Sequence, residues 1–441
     1  MSTATEALSA TSHPLAGKRM TGAEMVVQVL ADEGVDTIFG YSGGAILPTY
    51  DAVFRHNEAR RDDQGQVPMP LIVPANEQGA GFMAAGFARA TGEVGVCMVT
   101  SGPGATNTVT PVRDCLADSI PIVVICGQVP THVIGTDAFQ EAPVSAIMGS
   151  VAKHVFLVTD PARLEATVRT AFEIARSGRP GPVVIDIPKD VQNAIGEFRG
   201  TGLLPLKSYR QRVQAVADNA LSASAAKAFF QLLAESHRPL LYVGGGVING
   251  NAAPALRRFA ERFQIPVATT LMGIGAVDTT DELSLKMLGM HGTAFANYAV
   301  DDCDLLIAVG ARFDDRVATD PGSFAPKARQ IAHLDVDASE VGKVRNADWY
   351  HVGLLARDLD MLTSWGERHK VRVDTRAWLA DLSENKQSYA LNYDRDIKAI
   401  QPNYVVEEIN KHAGGEANIT TGVGQHQMWA AQYMDFREHR L

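Results

Sequence analysis

Cysteine is scarce in this chain and basic clusters are missing. Only four cysteines occur in 441 residues, Cys97, Cys115, Cys126 and Cys303, and no two form a CxxC pair. Three lie in or beside apolar, strand-like segments, which fits reduced core residues of a cytoplasmic protein rather than a disulfide framework. Lys and Arg gather into no basic face and the formal net charge is −10, so nucleic acid is not an expected partner. A phosphate ligand must then be held by local backbone amides, helix ends or a metal, not by the overall field. No apolar run reaches the length of a membrane span, and no membrane partner is expected. The stretch Met1–Ala7 has neither a basic n-region nor an apolar h-region and is not a secretory signal. Residues 1–18 read as a flexible lead-in. No paired HxxxH, no GxSxG and no Walker loop is found.

What is present is globular. The chain is 46% hydrophobic and 20% charged, near the average for folded domains, and long enough for two to four of them. From Thr21 onward, helical and strand patterns alternate. Thr21-Gly22-Ala23-Glu24 caps an amphipathic helix carrying Met25, Val26, Val29 and Leu30. Strand patterns follow at 37–39, 71–73, 94–99, 121–126 and 182–187, with helical patterns at 45–54, 78–90 and 105–117. Continuous Val/Ile runs alternating with helices predict α/β domains with doubly wound parallel sheets. The glycine-, proline- and basic-rich stretch 196–215 reads as a linker. A second α/β unit spans 216–365, with strands at 239–243, 266–269, 304–309 and 330–336. A polar stretch, 366–400, reads as another linker. A third unit opens at 401 with helix 403–412, strand 418–421 and helix 427–433, too few elements for a core of its own.

The densest chemistry surrounds Glu77. It follows the strand Leu71–Val73 and begins a run of small residues, Gly79-Ala80-Gly81-Phe82-Met83-Ala84-Ala85-Gly86. Each glycine costs such a helix up to about 1 kcal/mol relative to alanine. Close approach of a backbone, subunit or ligand is the expected offset. A first-turn carboxylate can simply complement the helix dipole. Apolar flanks on both sides instead predict a buried Glu77 with a raised pKa, suited to donating or relaying a proton. Gly102-Pro103-Gly104 is expected to form a type II turn. Gly244-Gly245-Gly246 follows a strand and precedes a helix, but the third glycine of a dinucleotide turn is displaced and the acidic residue of the next strand is missing. The segments Leu288–Gly292 and Gly310–Arg316 are the other dense sites. For Arg312–Arg316 a surface salt-bridge net is the plain alternative, and for His291 a structural histidine.

Together these segments are similar to the acetohydroxyacid synthase (acetolactate synthase) large catalytic subunit family of thiamine-diphosphate enzymes. The matching stretches are Phe39–Ala45, Asn76–Ala80, Thr100–Asn107, Ile134–Gln140, Arg179–Pro182, Pro188–Val191, Arg312–Val317 and Val423–Trp429, in order along the chain. Ser42 and Asn76 depart from the family's usual proline and histidine. The resemblance implies a pyrimidine-binding domain at 19–195, a central FAD-binding domain at 216–365 and the start of a diphosphate-binding domain at 401–441. It implies decarboxylation of pyruvate and condensation with pyruvate or 2-ketobutyrate, an early step of branched-chain amino acid biosynthesis. Glu77 would bond the aminopyrimidine. Gly44 would allow close approach at the reacting centre, Gln140 would lie near the intermediate, and Phe139 and Lys189 would line the substrate path. Tyr41 and Asn107 would also contact thiamine diphosphate, whose other side would be built by Val423, Gly424, Gln425, His426 and Met428 across a subunit interface.

FAD contacts would fall on Arg179, Gly244, Gly245, Gly246, Thr270 and Leu271; on Leu288, Gly289, Met290 and His291; and on Arg312, Asp314, Arg316, Asp335 and Val336. The resemblance also implies a homodimer or larger homo-oligomer and a small regulatory subunit. The family holds Mg2+ and the diphosphate through a Gly-Asp-Gly motif followed by an Asn, and none occurs after Met428. The chain is therefore read as C-terminally truncated, with no metal ligands of its own. The alternatives are another flavin-containing thiamine-diphosphate enzyme of the pyruvate oxidase type, or an inactive FAD-binding remnant.

Overall fold

The computed structural model describes residues 13–438. The chain divides into two compact units, Met1–Lys207 and Ser208–Leu441.

The first unit begins with the expected cap. Thr21 Oγ1 accepts the Glu24 N–H at 3.2 Å, and the Glu24 carboxylate accepts the Thr21 N–H at 2.7 Å. This closes a capping box on the helix Gly22–Asp32, which buries Met25, Val26, Val29 and Leu30. Strands β1 (Arg19–Thr21), β2 (Ile38–Tyr41), β3 (Leu71–Ile72), β4 (Gly95–Val99), β5 (Ile122–Gln128), β6 (His154–Leu157), β7 (Val183–Pro188) and β8 (Ile195–Glu197) follow. Six of them form one parallel sheet in the order β3-β2-β4-β5-β7-β6. Both β5 and β7 are buried throughout, and their mostly apolar runs carry two buried polar residues, Gln128 and Asp186. The pair β1 and β8 forms a separate antiparallel ribbon.

Several expectations change. Of the lead-in, residues 1–12 lie outside the described residues, but 13–18 are tied down: Gly17 N–H donates to Phe198 O at 2.9 Å, and the His13 ring meets Phe198 edge-on at 5.1 Å. The stretch 196–215 contributes β8 and the first part of a helix, Lys207–Asp218. The helix expected over 105–117 is two, Pro103–Thr106 and Val109–Asp118. Gly102-Pro103-Gly104 is not a type II turn. Pro103 is the first residue of a helix, where its fixed φ fits, and Gly102 carries the positive φ, +56°.

The second unit contains β9 (Pro239–Val243), β10 (Val267–Thr269), β11 (Ser284–Met287), β12 (Leu305–Val309), β13 (Gln330–Asp335) and β14 (Trp349–Val352). They form a parallel sheet in the order β11-β10-β9-β12-β13-β14. One face is packed by Phe229, Phe259, Phe263, Leu359 and Leu362 from the flanking helices. On the other face, the stretch read as a second linker supplies core. Trp378 and Leu382 of the helix Arg376–Ser388 are buried there, and Trp378 Nε1–H donates to Pro239 O at 3.1 Å.

The expected strand at 418–421 does not form; these residues pair with no strand among the described residues. Helices Pro402–Ala413 and Gln425–Tyr433 are present. The segment after them is stitched to this unit by the backbone bond Thr279 N–H to Phe436 O, 3.1 Å, and by Gln432 Nε2–H to His291 O, 2.9 Å. Among the described residues no helix is long and apolar enough to cross a membrane.

Candidate active site

Open parallel sheets bind ligands beyond the carboxyl ends of their strands, where the strand order reverses. In the first unit that reversal lies between β2 and β4, since β3 sits on the far side of β2. The loops leaving β2 and β4 are Ser42–Ile46 and Thr100–Gly102, and they meet each other at Thr100, beside the turn that carries Gly104 and Asn107 to Glu77. Ala45 N–H donates to Thr100 Oγ1 at 3.3 Å. A Cβ on Gly43 would sit 2.5 Å from Thr100 Cγ2. One on Gly104 would sit 2.7 Å from Thr100 Cγ2 and 3.6 Å from Glu77 Oε1. Small residues are thus required for the two loops to interlock around Thr100.

Glu77 opens the helix Glu77–Thr91 and is 9% exposed. Asn76 caps that helix, its Oδ1 accepting the Gly79 N–H at 2.8 Å. Glu77 is therefore free of the capping duty and points to the loops. Asn107 Nδ2–H donates to Glu77 Oε2 at 2.9 Å, orienting the carboxyl with Oε1 toward Gly104. Among the described residues nothing lies within 4 Å of the place where a Gly44 side chain would stand, so open room adjoins this loop. Tyr41 ends β2 in register with Val99.

The glycines of the Glu77 helix have separate explanations. Gly81 packs on the Pro111 ring, where a Cβ would come within 2.5 Å, whereas Gly86 faces open space.

Gln140 reaches the site through its backbone, against Gly102. Its own φ is +59°. The loop bearing it is braced at three points. The Asp190 carboxylate accepts the Thr131 N–H at 3.0 Å and the Thr131 hydroxyl. The Glu141 carboxylate accepts the N–H groups of Gly135 and Ala138, and these backbone bonds hold its pKa below the ordinary value. Gln128 Nε2–H donates to Ala142 O and to Asp186 Oδ2, each at 3.0 Å. Phe139 stands 88% exposed on this loop. Lys189 begins the helix Lys189–Asn193, next to Asp190. Sequence reading singled out no role for Thr100, Gln128, Asp186 or Gln192. Gln192 is buried and donates to Ala45 O at 2.8 Å while accepting from Thr49; nothing in its local pattern announces that bracing role.

In the second unit the reversal lies between β9 and β12, and Gly244–Gly246 meets Gly310 there. The Gly244 and Gly246 N–H groups donate to Val309 O and Gly310 O at 3.0 Å each. A Cβ on Gly246 would lie 2.7 Å from Gly310 Cα, and one on Gly244 would collide with Gly310 O. These glycines serve contact between two loops, and the two amides are already committed. Thr270 and Leu271 follow β10, and Leu288, Gly289, Met290 and His291 follow β11. Asn297 clamps Gly289 through both its N–H (2.8 Å) and its carbonyl (3.0 Å), a bracket absent from the sequence reading. Arg312, Asp314 and Arg316 follow β12. They pair loosely, Arg312 with Asp314 at 3.9 Å and Arg316 with Asp315 at 3.2 Å. Asp335 ends β13 and Val336 follows it.

Arg179 lies in the first unit instead, donating to Ser119 Oγ at 2.8 Å. Val423, Gly424, Gln425, His426 and Met428 lie in the second unit, at the start of the helix Gln425–Tyr433 and just before it, with Val423 95% exposed.

Two family models match separate stretches of the chain. The thiamine pyrophosphate enzyme N-terminal TPP binding domain covers residues 20–147, and the thiamine pyrophosphate enzyme central domain covers 226–362. The chain belongs to the thiamine pyrophosphate enzyme family.

Within that family it is similar to acetolactate synthase large subunits. It is 46% identical to the one from Parasynechococcus marenigrum over 422 residues, 95% of this chain and 66% of the relative. It is 43% identical to that of Corynebacterium glutamicum over 430 residues, 96% of this chain and 66% of the relative. It is 44% identical to acetolactate synthase 2, chloroplastic, of Nicotiana tabacum over 425 residues, 95% of this chain and 61% of the relative. The chain thus spans less than two thirds of the length of these relatives. The resemblance read from the motifs is borne out at the level of the family.

The donor sets fit two of the three groups the family implies. A buried carboxyl steadied by an amide, beside open room at Gly44, suits an aminopyrimidine. Two arginines, two carboxylates and backbone groups at adjacent strand ends suit the phosphates and ribose of a flavin nucleotide. Among the described residues no group of three or more His, Cys, Asp or Glu is placed to hold a metal ion.

Proposed function

We propose that this chain carries the pyrimidine-recognition and flavin-binding units of an acetolactate synthase large subunit, acting in branched-chain amino acid biosynthesis. The observation that carries this reading is Glu77: buried, oriented by Asn107, and placed at the switch point of a parallel sheet. Thiamine diphosphate, when bound, supplies the carbanion chemistry that releases CO2 from pyruvate and joins the remaining carbons to a second 2-keto acid. Glu77 holds a proton at Oε1 for exchange with the pyrimidine ring, and Asn107 prevents the carboxyl from rotating away. Gly44 keeps its loop free of a side chain on the reacting side. The braced loop presents Gln140 and Phe139, and Lys189 offers a cation for a keto acid's carboxylate.

The flavin site lies at the carboxyl ends of β10 to β13, with Arg312 and Arg316 for phosphate and Asp314 and Asp335 for ribose hydroxyls. The flavin is structural, since joining two keto acids involves no net redox change. A homodimeric or larger assembly, a small regulatory subunit and a cytoplasmic setting belong to the same reading. It is supported by the named relatives and by four cysteines that are all free and buried.

The test is acetolactate formation from pyruvate with thiamine diphosphate, Mg2+ and FAD, in a polypeptide extended to the length of its relatives. Glu77→Gln should lower the rate by about a hundredfold or more, the usual loss for a removed proton-transfer group, with FAD binding unchanged. Absence of acetolactate from the unaltered polypeptide would overturn the reading. Flavin bleaching coupled to pyruvate turnover would replace it with an oxidase.

A further inference from the structure

Phe313 is a bulky residue held at a positive φ, +56°, and its side chain is buried. Such a backbone is an outlier for a large side chain and persists only where the surroundings over-determine it. Here they do. The Phe313 ring is 5.2 Å from Tyr242, 6.1 Å from Phe324 and 5.5 Å from His333, each an edge-to-face contact. Tyr242 on β9 and His333 on β13 are both in register with Ala308 on the intervening strand β12. The small alanine leaves the gap between them that a ring can cover.

The same cage contains a second costly feature. Both ring nitrogens of His333 are fully buried and make no hydrogen bond among the described residues, while the buried Tyr242 hydroxyl lies against the Phe313 backbone. Buried polar groups without partners are rare and call for an explanation. The Asp335 carboxylate stands 3.7 Å from His333 Nε2, just beyond hydrogen-bond reach. One buried cluster therefore adjoins two separate carboxylates at the carboxyl ends of β12 and β13: Asp314 through the backbone of Phe313, and Asp335 through His333. Arg312 and Asp314, the chain neighbours of Phe313, remain part-exposed.

We propose that Phe313 and His333 are positioning residues for the flavin nucleotide, setting Arg312, Asp314 and Asp335 to one geometry before it binds. This rests on the flavin reading above. A positioned ion or sugar contact then costs less ordering when ligand arrives. His333, unpaired in the free chain, is placed to donate to Asp335 once that carboxylate is drawn to a ribose.

The experiment is a titration of the 441-residue chain with FAD, followed by flavin fluorescence, beside thermal unfolding without FAD. Phe313→Leu should weaken FAD binding by about tenfold or more, the size of one lost bond to a charged group. Because that variant loses core contacts, His333→Leu decides the matter. Replacing unpartnered nitrogens by an apolar group of similar volume should leave the thermal midpoint unchanged or raised, yet weaken FAD binding by a similar factor. His333→Gln, which keeps a donor near the Nε2 position, should restore much of the affinity. A purely structural histidine would not give opposite effects on stability and binding. FAD affinity equal to the parent's in His333→Leu would overturn the proposal. If the parent chain binds no FAD, the flavin reading fails and this inference fails with it.

Discussion

Replacing Asp186 by Asn should change the pH dependence of stability in the first unit. Asp186 sits on β7, buried on the face it shares with Cys126 and Gln128. Burial pushes its pKa up to about 7, opposed only in part by the hydrogen bond from Gln128, and its Oδ1 has no partner among the described residues. In the unfolded chain the same carboxyl titrates near 3.8. Between these values the folded state binds the extra proton, so stability falls as pH rises, by about 1.4 kcal/mol per pH unit. The contribution is fully present below pH 3.8 and is lost as pH passes about 7.

From pH 5 to 8 the loss accumulates over roughly two pH units and reaches about 3 kcal/mol. For a unit of this size that is roughly 6–12 °C in thermal midpoint. Asn cannot titrate, so the gap between parent and Asp186→Asn should close by this amount, or reverse, on going from pH 5 to pH 8. Other titrating groups act on both proteins alike and cancel. The measurement is thermal unfolding by circular dichroism across that range. A parent-minus-variant difference independent of pH would refute the argument that Asp186 is protonated in the fold.

The glycines of the Glu77 helix offer a matched pair. Gly81→Ala places a methyl 2.5 Å from the Pro111 ring and should destabilise by about 1–3 kcal/mol. Gly86→Ala meets nothing within 4 Å and should stabilise by up to about 1 kcal/mol; urea midpoints moving in the same direction would contradict the packing account. Thr21→Ala removes the capping box and should cost about 1 kcal/mol, with Thr21→Ser retaining most of it, as read by the same unfolding curves.

Much of the architecture was legible because its causes are local. The Thr21–Glu24 box, the apolar stripe Met25–Leu30 and the apolar runs of β5, β9 and β12 act within a few residues of one another, and each element formed where its pattern stands. Edge elements were harder. Strand β6 opens on a polar His154 and is only partly buried, and its apolar run, Val155–Leu157, is short. The helix Arg376–Ser388 looks polar because two residues, Trp378 and Leu382, do its packing. Strand-like sequence at 418–421 also failed, because a strand needs a neighbour as well as a propensity.

The functional groups divide in the same way. Glu77, Asn107 and the small residues around Thr100 were recognisable from their motifs, and so was the family. The amino-acid sequence alone settled most of the central element types, the buried cysteines and the kinship. Which glycine takes a positive φ, which pair meets backbone to backbone, and which side chains steady the site were decided only by the tertiary structure. That Gly246 lies on Gly310 and that Gln192 brackets the Ala45 loop depend on sheet order, whereas the Asn297 clamp on Gly289 is local. Crossovers bring strand ends together from 30 to 150 residues apart, and no pattern confined to one segment carries that information.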